Sequence, residues 1–156
     1  MQSGAGIQQS RMYTVGWVLM LLVNLSAVVL GAALLIPPVD PGAESFMGKS
    51  LTELRAFSPS VADWVWHENK MSIFSLLLLG VVGSSITWNA LRRGERWAWY
   101  TLIILVFGYD LVYIGIHAHI GYLFYVPVAL ALLLPAVVGA ALTARGIFIG
   151  AKQVRP

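Results

Sequence analysis

The 156 residues contain no cysteine. That single absence removes disulfides, thiolate metal sites, covalently attached haem and thiol chemistry. Charge is scarce as well: 11% of residues are charged, against about 25% in a typical soluble domain. With 58% of residues hydrophobic and a mean hydropathy of +0.77, water cannot be the solvent of the whole chain. No nucleophile stands beside a base, and there is neither a phosphate-cradling glycine loop nor a zincin helix. The pI near 9.5 raises the question of nucleic acid. The basic residues, however, gather at the ends of apolar runs and not in a patch with interleaved aromatics, so no nucleic-acid partner is expected. The partner implied is a lipid bilayer.

Four long apolar runs are present. Tyr13 to Ile36, Met71 to Leu91, Trp97 to Ile116 and Gly121 to Ala144 hold 24, 21, 20 and 24 residues. Each is long enough to cross about 30 Å of hydrocarbon as a helix. The expected fold is therefore all-α, one domain over 1–156: a bundle of four antiparallel transmembrane helices with spans near 13–36, 71–91, 97–116 and 121–144. Arg11 before the first run and Gly31, Ala32 and Ala33 within it give it some likeness to a secretion signal. Its apolar length exceeds the roughly 7–15 residues of such a signal's core, so it is read as a helix that stays. Pro37 and Pro38 end it.

Lysine and arginine orient the spans. Arg11, Arg92, Arg93, Arg96, Arg145, Lys152 and Arg155, seven of the ten, fall on the side that holds both termini. Lys49, Arg55 and Lys70 fall on the other. Because positive residues favour the cytoplasm, both termini are expected there. The loop 37–70 then lies outside and carries Asp40, Glu44, Glu53, Asp63 and Glu68. Within it, Ser50 or Thr52 can cap a short helix running to Phe57. Ser58-Pro59 reads as an N-cap followed by proline at the first helical position, which would start the second long helix early. Arg92 to Arg96 and His117 to Ile120 are tight connections. Trp64 and Trp66 suit one membrane interface, and Trp97, Trp99 and Tyr100 the other.

Small residues recur four apart: Ala27 and Gly31, Gly80 and Ser84, Gly83 and Thr87, then Ala136, Ala140 and Ala144. In lipid, close backbone approach is a main source of helix adhesion, and this spacing supplies it. Pro127 and Pro135 are both expected to bend the fourth helix.

Asp110 is the only formal charge inside a run. A carboxylate at that depth costs at least about 2.5–3.5 kcal/mol, so it is expected to face the bundle interior and to have a partner or be protonated. Tyr113 and His117 follow at i+3 and i+7, on the same helical face. Those three are the candidate catalytic residues. His67, His117 and His119 are the candidate cofactor ligands, and His67, Glu68, Asp110 and His117 the candidate metal ligands. Imidazole with carboxylate suits zinc, copper or iron. His67 paired with His117 suits haem, and one histidine alone a chlorophyll-type pigment. Asp110 with His117 also suits proton transfer, or placement of a quinone or lipid head group.

The same residues have plainer readings. Asp110 can glue helices through Tyr109, Tyr113 or Asn24. His117 and His119 sit beside a turn, where a wetted imidazole needs no ligand, and in His117-Ala118-His119 the two rings point apart. His67 and Glu68 belong to a charged flank with Asn69 and Lys70. Asn24, Ser26, Ser84, Ser85 and Asn89 commonly bond to backbone or across helices.

The stretch Ser50-Leu51-Thr52-Glu53-Leu54-Arg55-Ala56-Phe57-Ser58-Pro59, the downstream His67, and Arg92-Arg93-Gly94-Glu95-Arg96-Trp97-Ala98-Trp99-Tyr100 resemble segments of small bacterial four-span membrane proteins. The resemblance covers about a third of the chain. It implies the four-helix layout and a bacterial membrane, here expected to be the cytoplasmic one, and it implies no activity. The expected role is a small accessory subunit or binding protein for a lipid, quinone, pigment or larger membrane partner, a homo-oligomer included. The competing role is a membrane enzyme or redox protein that uses the Asp/Tyr/His cluster. A channel or transporter is disfavoured, since one acid makes a thin polar path.

Overall fold

Hydrocarbon offers the backbone no hydrogen-bond partners, so each apolar run must satisfy its own N–H and C=O groups, and a helix does so. The computed structural model describes residues 11–36, 44 and 47–149. Pro37, Pro38, Asp40, Lys152 and Arg155 lie outside them. The fold is an all-α bundle: α1 (Arg11–Leu35), α2 (Leu51–Phe57), α3 (Pro59–Asn89), α4 (Arg96–His119) and α5 (Val126–Ala144). All but α2 are long and apolar enough to cross a membrane.

Local chemistry sets the ends. The Ser50 hydroxyl accepts from the Glu53 amide at 3.2 Å, while the Ser50 amide donates to the Glu53 carboxylate at 2.7 Å. This reciprocal cap starts α2, and those hydrogen bonds hold the Glu53 carboxyl below its usual range. Ser58 then turns the chain into α3 with extended backbone and Pro59 at the first position, but its hydroxyl makes no capping bond. Here the proline's fixed φ and missing N–H start the helix without side-chain help. Residues 59–70 of the outer segment are thus helix, as the Ser58-Pro59 start predicts, and extend α3 by about 18 Å beyond its apolar run. Leu51 and Ala62 bury against each other with Leu54, which seats α2 on that extension.

At the opposite end, a tight turn over Leu91–Arg93 passes through Gly94, whose φ of 81° only glycine adopts without strain, into α4. The Tyr13 hydroxyl donates to the Leu91 carbonyl and ties the start of α1 to this turn. Arg92 lies 4.3 Å from the Trp88 ring centre, and Trp88 meets Trp17 edge-on at 6.1 Å. Trp97 and Tyr100 are each 53% exposed, as interfacial residues should be. Trp99 instead turns inward, and its indole N–H donates to the Ala140 carbonyl at 3.0 Å, joining α4 to α5.

The tight turn predicts α3 and α4 as a close pair, yet their main partners lie elsewhere. Helix α1 packs broadly on α3 on one side and on α5 on the other, and α4 leans on α5. Glycine placement explains this. A Cβ on Gly80 would lie 2.8 Å from the Asn24 carbonyl, one on Gly16 2.9 Å from the Thr143 amide, and one on Gly139 2.9 Å from the Gly16 carbonyl. At Gly108 and Gly115 of α4 the space is open. Only α1, α3 and α5 therefore press backbone to backbone, and α4 is the least buried of the four, 6% of its most apolar stretch against 22–28% elsewhere. Inside the α1–α3 seam, the Asn24 amide donates to the Met20 carbonyl at 2.7 Å and reaches Thr87 at 3.4 Å.

The two prolines of the last helix act differently. Pro135 lies inside α5, whereas Pro127 stands in its first turn. Residues 121–125 form the connection and not a helical turn, because Gly121 takes a φ of 77°. Pro127 therefore starts the helix and does not bend it.

Substituting Gly80 or Gly83 by Ala should lower stability in detergent by about 1–3 kcal/mol, read as a fall in the melting temperature. Gly108→Ala and Gly115→Ala should leave it unchanged or raise it.

Candidate functional site

Because α3 rests on α1 and α4 on α5, a cleft stays open between α3 and α4 at the end away from the arginine turn. It forms a half-open cavity of about 280 Å³. Leu30 and Leu34 of α1, Ile73 and Leu76 of α3, and Val128, Ala129 and Leu132 of α5 give it apolar walls. Helix α3 adds Trp64, Glu68, Asn69 and Ser72, and α4 adds Tyr109, Asp110, Tyr113 and His117. The i, i+3, i+7 spacing thus delivers Asp110, Tyr113 and His117 to one space.

The rings form a ladder. Tyr109 stacks on Tyr113 at 6.0 Å and 21°, Tyr113 on His117 at 3.8 Å and 26°, and Tyr122 stands 5.0 Å beyond His117. The positions 109, 113 and 117 repeat every four residues, one helical turn with about 40° of drift. His117 Nδ1 lies 2.8 Å from the Tyr113 carbonyl oxygen. A carbonyl only accepts, so Nδ1 carries the hydrogen, and Nε2 is left as an acceptor in the neutral ring.

Asp110 sits two helical turns below His117, about 10 Å along the axis. It borders both the main cavity and a smaller one of about 40 Å³ lined by Asn24, Ala27 and Gly80. Among the described residues none makes an ion pair or hydrogen bond with its carboxylate. The helix glue expected of Asp110 is supplied by its neighbour: Tyr109 shares a hydrogen bond with Ser72 and bridges α4 to α3.

Not all sequence candidates converge. Glu68 lines the cavity, but His67, one residue away and so about 100° around the helix, does not. Its side chain is 62% exposed and lies 3.6 Å from the Glu68 carboxylate. His119 is exposed on the last turn of α4. The proposed His67–His117 haem pair is therefore not assembled in the cavity. Among the described residues no three His, Asp or Glu side chains stand close enough to share a metal ion. The set of His67, Glu68, Asp110 and His117 is dispersed, with His67 on the wrong face and Asp110 two turns too deep.

Sequence reasoning passed over Tyr122 and Tyr125 as site residues. They reach the cavity because the turn at Gly121 folds them back over it, and no helical period announces that. Trp64, expected only as an interfacial ring, lines the cavity too. No family model matches the chain, and no curated protein or solved structure is significantly similar to it.

Since no described side chain bonds to Asp110, Asp110→Asn should leave the melting temperature unchanged or higher. Tyr109→Phe should lower stability by about 0.5–1.5 kcal/mol, the worth of one hydrogen bond. Thermal melts of both variants in one detergent check the pair.

Proposed function

We propose that the protein is a small integral membrane binding protein that holds an amphiphile, with the head group or ring in the cavity between α3 and α4. One observation carries the reading: a half-open cavity with apolar walls on three helices and polar groups concentrated along α4 and the upper part of α3. This is the usual make-up of small-molecule sites, in which a few placed polar groups orient a largely apolar ligand. The volume of about 280 Å³ suits a ring or head group and not a whole lipid, so any long chain lies along the bundle's lipid-facing surface. Lipids, quinones and pigments all have this form.

The proposed setting is the bacterial cytoplasmic membrane with both termini inside, which puts the cavity in the outer half. The resemblance of the Arg92–Tyr100 segment supports the first part. The basic residues at one bundle end, Arg11, Arg92, Arg93, Arg96 and Arg145, support the second. A second reading, proton-handling redox or enzymatic chemistry, has its support in His117. Its bonded Nδ1 leaves Nε2 as a base on the helix that also carries Asp110.

Protein purified in mild detergent should carry a stoichiometric small amphiphile, detected by organic extraction, mass spectrometry and an absorption spectrum. Ala129→Leu, which puts bulk into the cavity wall, should reduce the occupancy. An empty wild-type preparation that takes up none of the three amphiphile classes would overturn the proposal. Reporter fusions at both termini should give the cytoplasmic signal, and a split signal would refute the orientation.

A further inference from the structure

Resting on that reading, the geometry points to an occupant that is positively charged, an amphiphile with a protonated amine or quaternary ammonium head. Two carboxylates face the cavity at different depths, Glu68 on the extended part of α3 and Asp110 on α4. Among the described residues that line it, none is lysine or arginine. Lys70, the nearest cation along α3, donates to the Leu35 carbonyl at 2.9 Å and caps the end of α1.

The remaining lining matches. Tyr113 is stacked between Tyr109 and His117, so its faces are taken, but Trp64 and Tyr122 also bring rings to the same space. The negative face of an aromatic ring attracts a cation, and aromatic enclosures are the usual recognition device for quaternary ammonium groups. A neutral ring such as a quinone would offer an ionised carboxylate no counter-charge. An anionic head group would meet two like charges. A bare divalent cation would need several oxygen ligands converging on one point, and the two acids lie on different helices with no third beside them among the described residues. An organic cation needs no such convergence, because its charge is spread and its surface is apolar.

The test uses the full chain in nonionic detergent and three probes of nearly one shape: benzyltrimethylammonium, its neutral carbon isostere neopentylbenzene, and anionic benzylsulfonate. Affinities are measured by titration calorimetry. The cation should bind at least about tenfold more tightly than the neutral isostere. Asp110→Asn should erase that preference, Asp110→Glu should keep most of it, and Glu68→Gln should weaken it less than Asp110→Asn does. If Asp110→Asn does not fold, the wild-type ratio and Asp110→Glu still decide. Equal binding of cation and neutral isostere, or preference for the anion, overturns the inference and leaves the cavity as an amphiphile site. Binding of none of the three, with no amphiphile co-purified, overturns both.

Discussion

The bundle depends on the close approach of α1 to its two neighbours. In lipid an apolar side chain gains little by leaving solvent for protein, so contact distance decides adhesion. Glycine sets that distance here. Gly16 and Gly31 on α1, Gly80 and Gly83 on α3, and Gly139 on α5 each stand where a methyl group would collide with the facing helix. The Asn24–Thr87 contact lies in the same seam, where the lack of a side chain at Gly83 makes room for the Asn24 amide. Helix α1 is thereby the spine on which the others are placed.

The cavity is a consequence of where those glycines are not. Helix α4 presents Gly108 and Gly115 to open space, and among its ties are Trp99 to the Ala140 carbonyl near one end and Tyr109 to Ser72 further along. A helix held by modest packing leaves a gap beside α3, and that gap receives the acid, the imidazole and the stacked tyrosines. The polar residues that would be costly against lipid are lodged in the space that the loose packing provides.

Much of this was legible in the sequence, for identifiable reasons. Four runs of 20 or more apolar residues admit only helices in hydrocarbon, so the fold class and the four spans followed directly. Asp110, Tyr113 and His117 share a face by helical period, and they do meet in one cavity. The small-residue pairs marked the seams, since Gly80, Gly83 and Ala136 are buried there. What failed depended on contacts between distant segments. Which helices pair was not visible, because a short turn fixes chain reversal without fixing adhesion. His67 and Glu68 looked like one unit, but adjacent residues on a helix cannot serve the same side. Tyr122 and Tyr125 lie in a turn whose path is set by the positive φ of Gly121, and Trp99 carries no sign of which way its indole turns.

The uneven distribution of anchoring separates the part that folds from the part that recognises. Three helices locked by glycine contacts make a self-sufficient scaffold, while the fourth bears nearly all the distinctive chemistry and contributes least to cohesion. Replacements at the cavity-facing Asp110, Tyr113 and His117 of α4 are accordingly tolerated by the architecture, so relatives of this chain would be free to diversify in what they hold while remaining superimposable in everything else.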